Sequence, residues 1–257
     1  MTTTTFGLGK VLATGFRIWA RNFIPFLLIT TLVYAPLWIW GIWCTQGADD
    51  RWALHRVFLF ARYSPMLSLS LYFLSSAALT YGVVMELEGQ HASLIACLSR
   101  WLRRLLPTIG TILVLALCFV VLSVVLVLMI ELIGGWIPIV IWFVLLLWVA
   151  SILYVATQAS VFEQPGSFGA LERSRALTKG HRFALAIIVI LLVLIAVVLQ
   201  VIIQQLDLRD LSLFVYLDLV RSVLVGSLAS VMPGVAYYFL RAEKEGTSAS
   251  ELAAVFD

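Results

Sequence analysis

The residues that could perform acid–base or metal chemistry are scattered along this chain rather than grouped at catalytic spacing. Its three histidines, His55, His91 and His181, are separated by long apolar stretches. The sequence contains no HExxH, GxSxG, P-loop or GxGxxG pattern. Because hydrolytic and metal sites need several such groups that converge on one point, we predict no catalytic residue, no metal site and no cofactor.

Acidic residues lie at the ends of the apolar stretches and not inside them. Glu86 and Glu88 follow the second stretch, Glu131 ends the third and Glu163 follows the fourth. Ion-coupled transporters place ionisable groups in the middle of the membrane, where such groups are costly and are kept for function. We therefore interpret these carboxylates as boundary residues, and an enzyme is the least favoured functional class.

Hydroxyl residues follow one another at helical spacing in the second apolar stretch. Ser68, Ser75 and Ser76 could line a polar path through a bundle of helices. Small residues of this kind also allow membrane helices to pack closely and to form hydrogen bonds with one another. We prefer the packing interpretation and keep the polar path as the alternative.

Basic residues gather in three segments next to apolar stretches. They are Arg100, Arg103 and Arg104, then Arg173, Arg175 and Lys179, and finally Arg241. Such clusters can bind anionic lipid headgroups or a partner protein. They can also form internal ion pairs, for example Glu163 with Arg173 and Arg175, while their aliphatic stems lie along apolar surface. Internal pairing is the preferred interpretation of the last two groups.

The composition shows which elements must position these residues. Apolar residues make up 62% of the 257 residues and charged residues 12%, against about 45–50% and about 25% in soluble domains. A chain of this composition cannot cover a water-facing globule, which excludes a soluble enzyme and a disordered chain. The net charge of +3 is too small to indicate a nucleic-acid partner. We predict a single integral membrane domain over residues 1–257.

Six apolar stretches approach the roughly 20 residues that a helix needs to cross a bilayer. They cover residues 23–43, 65–85, 107–130, 136–159, 183–203 and 221–240. Their apolar runs are continuous and do not alternate as the strands of a barrel would. The sequence therefore predicts an all-α, polytopic protein with six transmembrane helices.

Three amphipathic segments lead directly into spans and have similar patterns. They cover residues 6–22, 93–106 and 167–179, with apolar residues on one side and basic residues on another. Helices of this kind lie in the membrane interface. The pattern suggests a threefold repeat of a surface helix followed by a membrane hairpin. The alternative is that the three segments only anchor the topology.

The distribution of positive charge predicts the orientation. Twelve of the 17 Lys and Arg residues fall in the N-terminal segment, the C-terminal tail and the two loops on the same side. Because cytoplasmic loops carry the excess of Lys and Arg, we predict a multi-pass protein of the plasma (inner) membrane with both termini in the cytoplasm.

Two motifs resemble a known family. Residues 161–182, VFEQPGSFGALERSRALTKGHR, resemble an acidic residue and a short turn followed by A-L-x-R-S-x-x-L-T-x-G. Residues 237–246, YYFLRAEKEG, resemble Y-Y-x-L-R-x-x-K/R-E-G near a last span. The chain thus resembles the six-span family described as the membrane domain of glycerophosphoryl diester phosphodiesterase, which has stand-alone, uncharacterised bacterial relatives.

The resemblance implies a membrane domain and not the hydrolase that follows it in some relatives. Because 11 residues follow Gly246, we expect the catalytic domain to be absent. Phe239 occupies a position where relatives often carry an acidic residue. We expect a non-enzymatic scaffold or accessory protein with membrane lipids as partners and another membrane protein as a further candidate partner. The alternative is a small transporter or lipid-translocating protein with a cavity among its hairpins.

Overall fold

The described part of the chain is built from helices and the turns between them. The computed structural model describes residues 6–46, 51–87, 89, 94–103, 105–163, 166–206 and 211–246. The helices are α1 (Leu8–Arg21), α2 (Phe23–Val33), α3 (Ala35–Thr45), α4 (Arg51–Leu87), α5 (Leu94–Arg103), α6 (Leu105–Ile133), α7 (Ile137–Leu153), α8 (Ala156–Glu163), α9 (Gly166–Thr178), α10 (Arg182–Gln205) and α11 (Leu211–Glu245). The all-α fold class is confirmed for these residues.

Several helical segments are long and apolar enough to cross a membrane. Five qualify within the described residues: His55–Leu87, Thr108–Ile133, Ile137–Glu163, Arg182–Gln205 and Ser212–Glu245. A sixth is reached only if α1 and α2, which meet at an angle of 87°, are counted as one bent span. Length and composition therefore support five or six spans.

The predicted first span, residues 23–43, is not one helix. It forms the two 11-residue helices α2 and α3, which are separated at Tyr34. Pro36 lies in the first turn of α3. Because proline has no backbone N–H, it cannot continue the hydrogen-bond ladder of the preceding helix, whereas it is tolerated in a first turn.

The helices α4 and α11 begin well before the second and sixth predicted spans. Helix α4 starts at Arg51 and continues through Pro65, where the sequence placed the start of the span. Helix α11 starts at Leu211 instead of residue 221 and continues through Pro233. Both early segments are amphipathic, and buried residues such as Phe60 and Val215 hold them against the core. Helical structure there is stabilised by packing rather than by uniform hydrophobicity.

Helices α4 and α11 pack against each other at the centre of the fold. Three glycines permit close contacts in this region. A Cβ on Gly234 would lie 3.3 Å from Val83, one on Gly226 would lie 2.7 Å from the Tyr34 hydroxyl, and one on Gly41 would lie 2.9 Å from Leu219. The backbones of α3, α4 and α11 therefore approach more closely than larger residues would allow.

Helix α9 packs where the long α7–α8 segment is interrupted. A turn at Tyr154 and Val155 separates α7 from α8. The Ser174 hydroxyl of α9 donates a 2.7 Å hydrogen bond to the Ile152 carbonyl oxygen, and the Thr178 hydroxyl donates one of 3.3 Å to the same oxygen. These two side-chain donors thus supply hydrogen bonds to a carbonyl oxygen at the interruption of the helix. A backbone carbonyl in an apolar environment needs such a partner.

Candidate basic interface at the ends of α8 to α11

The two motifs of the family resemblance meet in one network of ion pairs. Glu163 is the last residue of α8, Arg173 lies in α9, and Tyr237, Arg241 and Glu245 lie in the last turns of α11. The Arg173 Nε lies 2.6 Å from the Glu163 Oε2, and the Arg173 Nη2 donates a hydrogen bond to the Glu245 carboxylate. The expected pairing of Glu163 with Arg173 is confirmed.

The same network ties α11 to α8. The Tyr237 hydroxyl donates a 2.6 Å hydrogen bond to the Glu163 Oε1, and its ring stacks on Phe162 with centroids 5.1 Å apart. The Arg241 Nε donates a 2.9 Å hydrogen bond to the Glu245 Oε2. Because each carboxylate contacts two donors, the network joins three helices through mutually compensated charges.

Arg173 is held in its charged form by this environment. Partial burial by itself lowers the pKa of the guanidinium. Hydrogen bonds to Glu245 and Glu163, together with their negative charges, outweigh burial and raise this pKa above its ordinary value. Arg173 is therefore an internal ion-pair partner, and its charge is already neutralised within the protein.

Arg175 and Lys179 have a different environment from Arg173. Both side chains are exposed. They line an open depression of about 490 Å³ together with Glu172, Ala176 and Arg182. The Arg182 Nε is buried, and no hydrogen-bond partner for it is present in the described structure. The sequence grouped Arg173, Arg175, Lys179 and Arg241 as one candidate set, whereas the structure divides them into an internal network and an open basic surface.

The candidate basic residues of the second segment are only partly described. Arg103 is the last residue of α5 and is exposed. Arg104 and the side chain of Arg100 lie outside the described part of the structure. Helix α5 packs against α4 and α2, so Arg103 belongs to a different region from the α9–α10 depression.

Two of the three serines of the predicted polar path form side-chain hydrogen bonds with other helices. The Ser75 and Ser230 hydroxyls lie 2.6 Å apart, and the Ser76 hydroxyl donates a 3.2 Å hydrogen bond to the Ser230 carbonyl oxygen. The Gln158 Nε2 donates a 2.7 Å hydrogen bond to the Ser76 Oγ. Ser68 is half-buried, and its carbonyl oxygen accepts a 3.2 Å hydrogen bond from the Tyr34 hydroxyl.

Sequence reasoning missed a partly buried ion pair in α11. Arg221 donates hydrogen bonds of 3.1 and 2.7 Å from Nε and Nη2 to the Asp218 Oδ1. Asp218 is only 5% exposed. The spacing of three residues between opposite charges was a detectable helical signal, but the sequence placed Asp218 in a loop because the apolar run begins after it.

Two further contributors lie in α11. Ser230 completes the serine cluster and carries no motif of its own, since its partner Ser75 is 155 positions away. Tyr237 completes the ion-pair network; it lies in the second motif, but the sequence assigned it no contact with Glu163. Among the described residues, no group of three or more His, Cys, Asp or Glu side chains is arranged to hold a metal ion.

These features define a class of protein: a helical bundle with several helices suited to membrane crossing, a polar centre and a basic region at one end. The chain matches the family described as Domain of unknown function (DUF8558) over residues 46–240, which is more than half of its length. It therefore belongs to that family. No curated protein and no solved structure matches the chain.

Proposed function

We propose that this protein is a non-enzymatic, multi-pass protein of the inner membrane that acts as a scaffold or accessory factor through the basic residues of its cytoplasmic face. Its partners are membrane lipids and, in a scaffold role, another membrane protein. The proposal does not include the hydrolase activity named in the family that the two motifs resemble.

One observation carries the membrane assignment: the most apolar helices are the most exposed. In the most apolar 18-residue stretches of α6 and α10, only 6% and 11% of the residues are buried. Large side chains such as Leu113, Val120 and Leu194 point outward. A patch of this extent is untenable in water but is the expected surface of a protein solvated by lipid.

The proposed orientation is supported by the proximity of the two ends of the described chain. The backbone N–H of Phe6 donates a hydrogen bond to the Glu243 carboxylate, and the His181 Nε2 lies 3.1 Å from the other oxygen of that carboxylate. Both ends therefore lie on one side of the bundle. The excess of Lys and Arg in the corresponding segments favours the cytoplasmic side.

A threefold repeat is part of the proposal. The units are α1–α4, α5–α8 and α9–α11, and each begins with a short helix. Helix α1 packs on α10 and α11, α5 packs on α2 and α4, and α9 packs on α6, α7 and α8. Each short helix thus rests mainly on the preceding unit in cyclic order, a regularity that supports a repeat with six spans.

The proposed relationship to the phosphodiesterase membrane domain is supported by the contacts between its two motifs. Glu163 and Arg173 come from the first motif, and Tyr237, Arg241 and Glu245 come from the second. In such a network, the loss of one charged residue leaves its partners uncompensated. This dependence gives a physical reason for two distant motifs to occur in the same family.

A small transporter is the second candidate, and one observation favours it. The Gln158 Oε1 and the Tyr154 hydroxyl are buried with no hydrogen-bond partner in the described structure. Unpartnered polar atoms inside an apolar bundle are costly, and they would be compensated by water or a polar substrate among the hairpins. In this case, replacing Ser75 and Ser76 with alanine would abolish transport, whereas a scaffold would keep its function.

Isolation in native membrane patches tests the proposal. Mass spectrometry of the co-isolated molecules should identify anionic lipids, or a membrane protein that is found in every preparation. The yield of these molecules should be lower with an unrelated six-span protein as the control. Reporter fusions within residues 47–50 and after residue 246 should report opposite sides of the membrane. Cytoplasmic labelling of residues 47–50 would contradict the orientation.

A further inference from the structure

The turn between α9 and α10 brings basic side chains from two helices to one depression. Arg175 lies in the last turn of α9, Lys179 directly follows the end of that helix, and Arg182 is the first residue of α10. Gly180 has a φ of +98°, a left-handed conformation that lets the chain reverse between the two helices. The depression of about 490 Å³ is therefore lined by groups that the turn itself positions.

The depression has an excess of positive charge. Arg175, Lys179 and Arg182 line it with one carboxylate, that of Glu172. The Lys244 ammonium donates a hydrogen bond to the carbonyl oxygen of Ala176, which is another lining residue. The neighbouring Arg173 and Arg241 do not contribute to this excess, because Glu163 and Glu245 neutralise them.

Arg182 carries an unused donor at this place. Its Nε–H is buried with no hydrogen-bond partner in the described structure. A guanidinium donates several parallel hydrogen bonds in a planar fork that matches the oxygens of a phosphate group. An unpartnered guanidinium donor beside two exposed cations is suited to an anion with several acceptor oxygens.

The surroundings of the depression are apolar and exposed. Phe183, next to Arg182, is 82% exposed. Helix α10 then presents an outward apolar face along its length. Cations at the start of a long apolar face are suited to an amphiphile. Its anionic head would contact the cations, and its hydrocarbon chains would lie along the apolar face.

We propose that Arg175, Lys179 and Arg182 bind the phosphate of an anionic phospholipid, with its acyl chains lying along α10. This inference rests on the proposed membrane function and specifies the site at which lipid is held. Arg182 and Arg175 donate hydrogen bonds to the phosphate oxygens, Lys179 adds a positive charge, and Glu172 weakens binding by repulsion.

Lipid retention in reconstituted discs tests the site. The full chain is placed in phosphatidylcholine discs that contain phosphatidylglycerol, and tightly bound lipid is quantified by native mass spectrometry. The triple variant Arg175→Gln, Lys179→Gln, Arg182→Gln should hold phosphatidylglycerol about a hundredfold more weakly, since it removes three cations that each contribute about fivefold when they face an anionic headgroup. Glu172→Gln should retain it more strongly than wild type.

A charge-matched variant separates this site from general attraction. The control Lys10→Gln, Arg17→Gln, Arg62→Gln removes three exposed cations from α1 and α4 and should retain the lipid like wild type. Equal losses in both triple variants would overturn the specific site and leave the proposed basic face intact. A wild-type protein without any preference for phosphatidylglycerol would overturn the proposed lipid interaction itself.

Two measurements keep the result interpretable. The thermal midpoint of each variant in detergent shows that a loss of lipid does not come from unfolding, and the gain expected for Glu172→Gln cannot arise from misfolding. Millimolar inorganic phosphate is added in a separate series. Displacement of phosphatidylglycerol by inorganic phosphate alone would overturn the lipid assignment in favour of a free phosphate ligand, whereas no displacement supports the lipid.

Discussion

Helices α4 and α11 bury their surfaces, whereas α6 and α10 expose theirs. In the most apolar stretches of α4 and α11, 61% and 78% of the residues are buried, compared with 6% and 11% in α6 and α10. The buried pair contains several buried polar residues, including Ser75, Ser230 and Asp218, which pairs with Arg221. The exposed pair is almost wholly aliphatic along its length.

The difference shows how this chain sorts its helices. In water, the most apolar helices would form the core. In lipid, apolar side chains gain little from association, and small residues and hydrogen bonds determine which helices pack together. Helices α4 and α11 meet through glycines and hydroxyls, and this arrangement fits a bundle whose outer solvent is hydrocarbon.

The largest effect is expected from a charge on the exposed helix. Val120→Lys places an ammonium near the middle of α6, where Val120 faces outward. If lipid surrounds this face, membrane insertion costs about 2.5–3.5 kcal/mol more, and the amount of protein in the membrane fraction should fall severalfold. Quantitative immunoblotting of membrane fractions measures this.

The control for the charge lies at the end of the same helix. Leu132→Lys adds an identical charge next to Gly134, where the long side chain can reach the interface, and accumulation should be close to that of wild type. Normal accumulation of Val120→Lys would break the comparison, since α6 would then have a water-facing surface.

Overpacking at the centre should have the next largest effect. Gly226→Leu forces a side chain into contact with the Tyr34 hydroxyl, which already lies 2.7 Å from the position of a Cβ. Overpacking of a close-packed interior costs about 1–3 kcal/mol, and the thermal midpoint in detergent should fall. Ala116→Leu adds comparable volume on the exposed face of α6 and should leave the midpoint unchanged.

Two neighbouring arginines of α9 sharpen the comparison at the end of the bundle. Arg173→Gln leaves Glu163 and Glu245 without their shared cation and should lower the free energy of unfolding by about 1–2 kcal/mol, less than for a fully buried pair. Arg175→Gln removes an exposed charge and should change it by less than about 0.5 kcal/mol. Denaturation in mixed micelles compares the two, and equal effects would contradict the distinction.

The smallest effect is expected from the serine contact between α4 and α11. Ser75→Ala and Ser230→Ala remove hydroxyls that lie 2.6 Å apart, and a double-mutant cycle should give a coupling of about 0.6 kcal/mol. Ser123→Ala on α6 is the matched control, because its hydroxyl bonds only within its own helix, to the Phe119 carbonyl oxygen. Ser123 should show no coupling to Ser230.

The short helices with a clear amphipathic periodicity were predictable from the sequence. The short helices α1, α5 and α9 occupy most of the predicted segments 6–22, 93–106 and 167–179. Their periodicity depends on residues three and four positions apart, so it is visible locally. The division of residues 23–43 at Tyr34 and the interruption at Tyr154 were not predicted, because both depend on neighbouring helices for compensation.

The candidate site was predicted only in part. The sequence paired Glu163 with both Arg173 and Arg175, which lie in the same motif; Arg173 forms this ion pair, whereas Arg175 is exposed and lines the depression instead. The role of Glu245 was not foreseen, since it lies 72 positions from Arg173. The contrast between Arg173 and Arg175 was not visible in the sequence either. Residues two positions apart point in directions about 200° apart on a helix, but the sequence does not show which of those two directions faces a neighbouring helix.

The sequence by itself determined the helical fold class, the apolar segments long enough for a membrane and the positions of the basic clusters, because each depends on composition or local periodicity. Only the tertiary structure decided that α4 and α11 lie inside and α6 and α10 outside. It alone separated the neutralised Arg173 from the available Arg175, Lys179 and Arg182. The physical reason is that burial and charge compensation belong to pairs of distant residues, and such pairs exist only after the helices have packed.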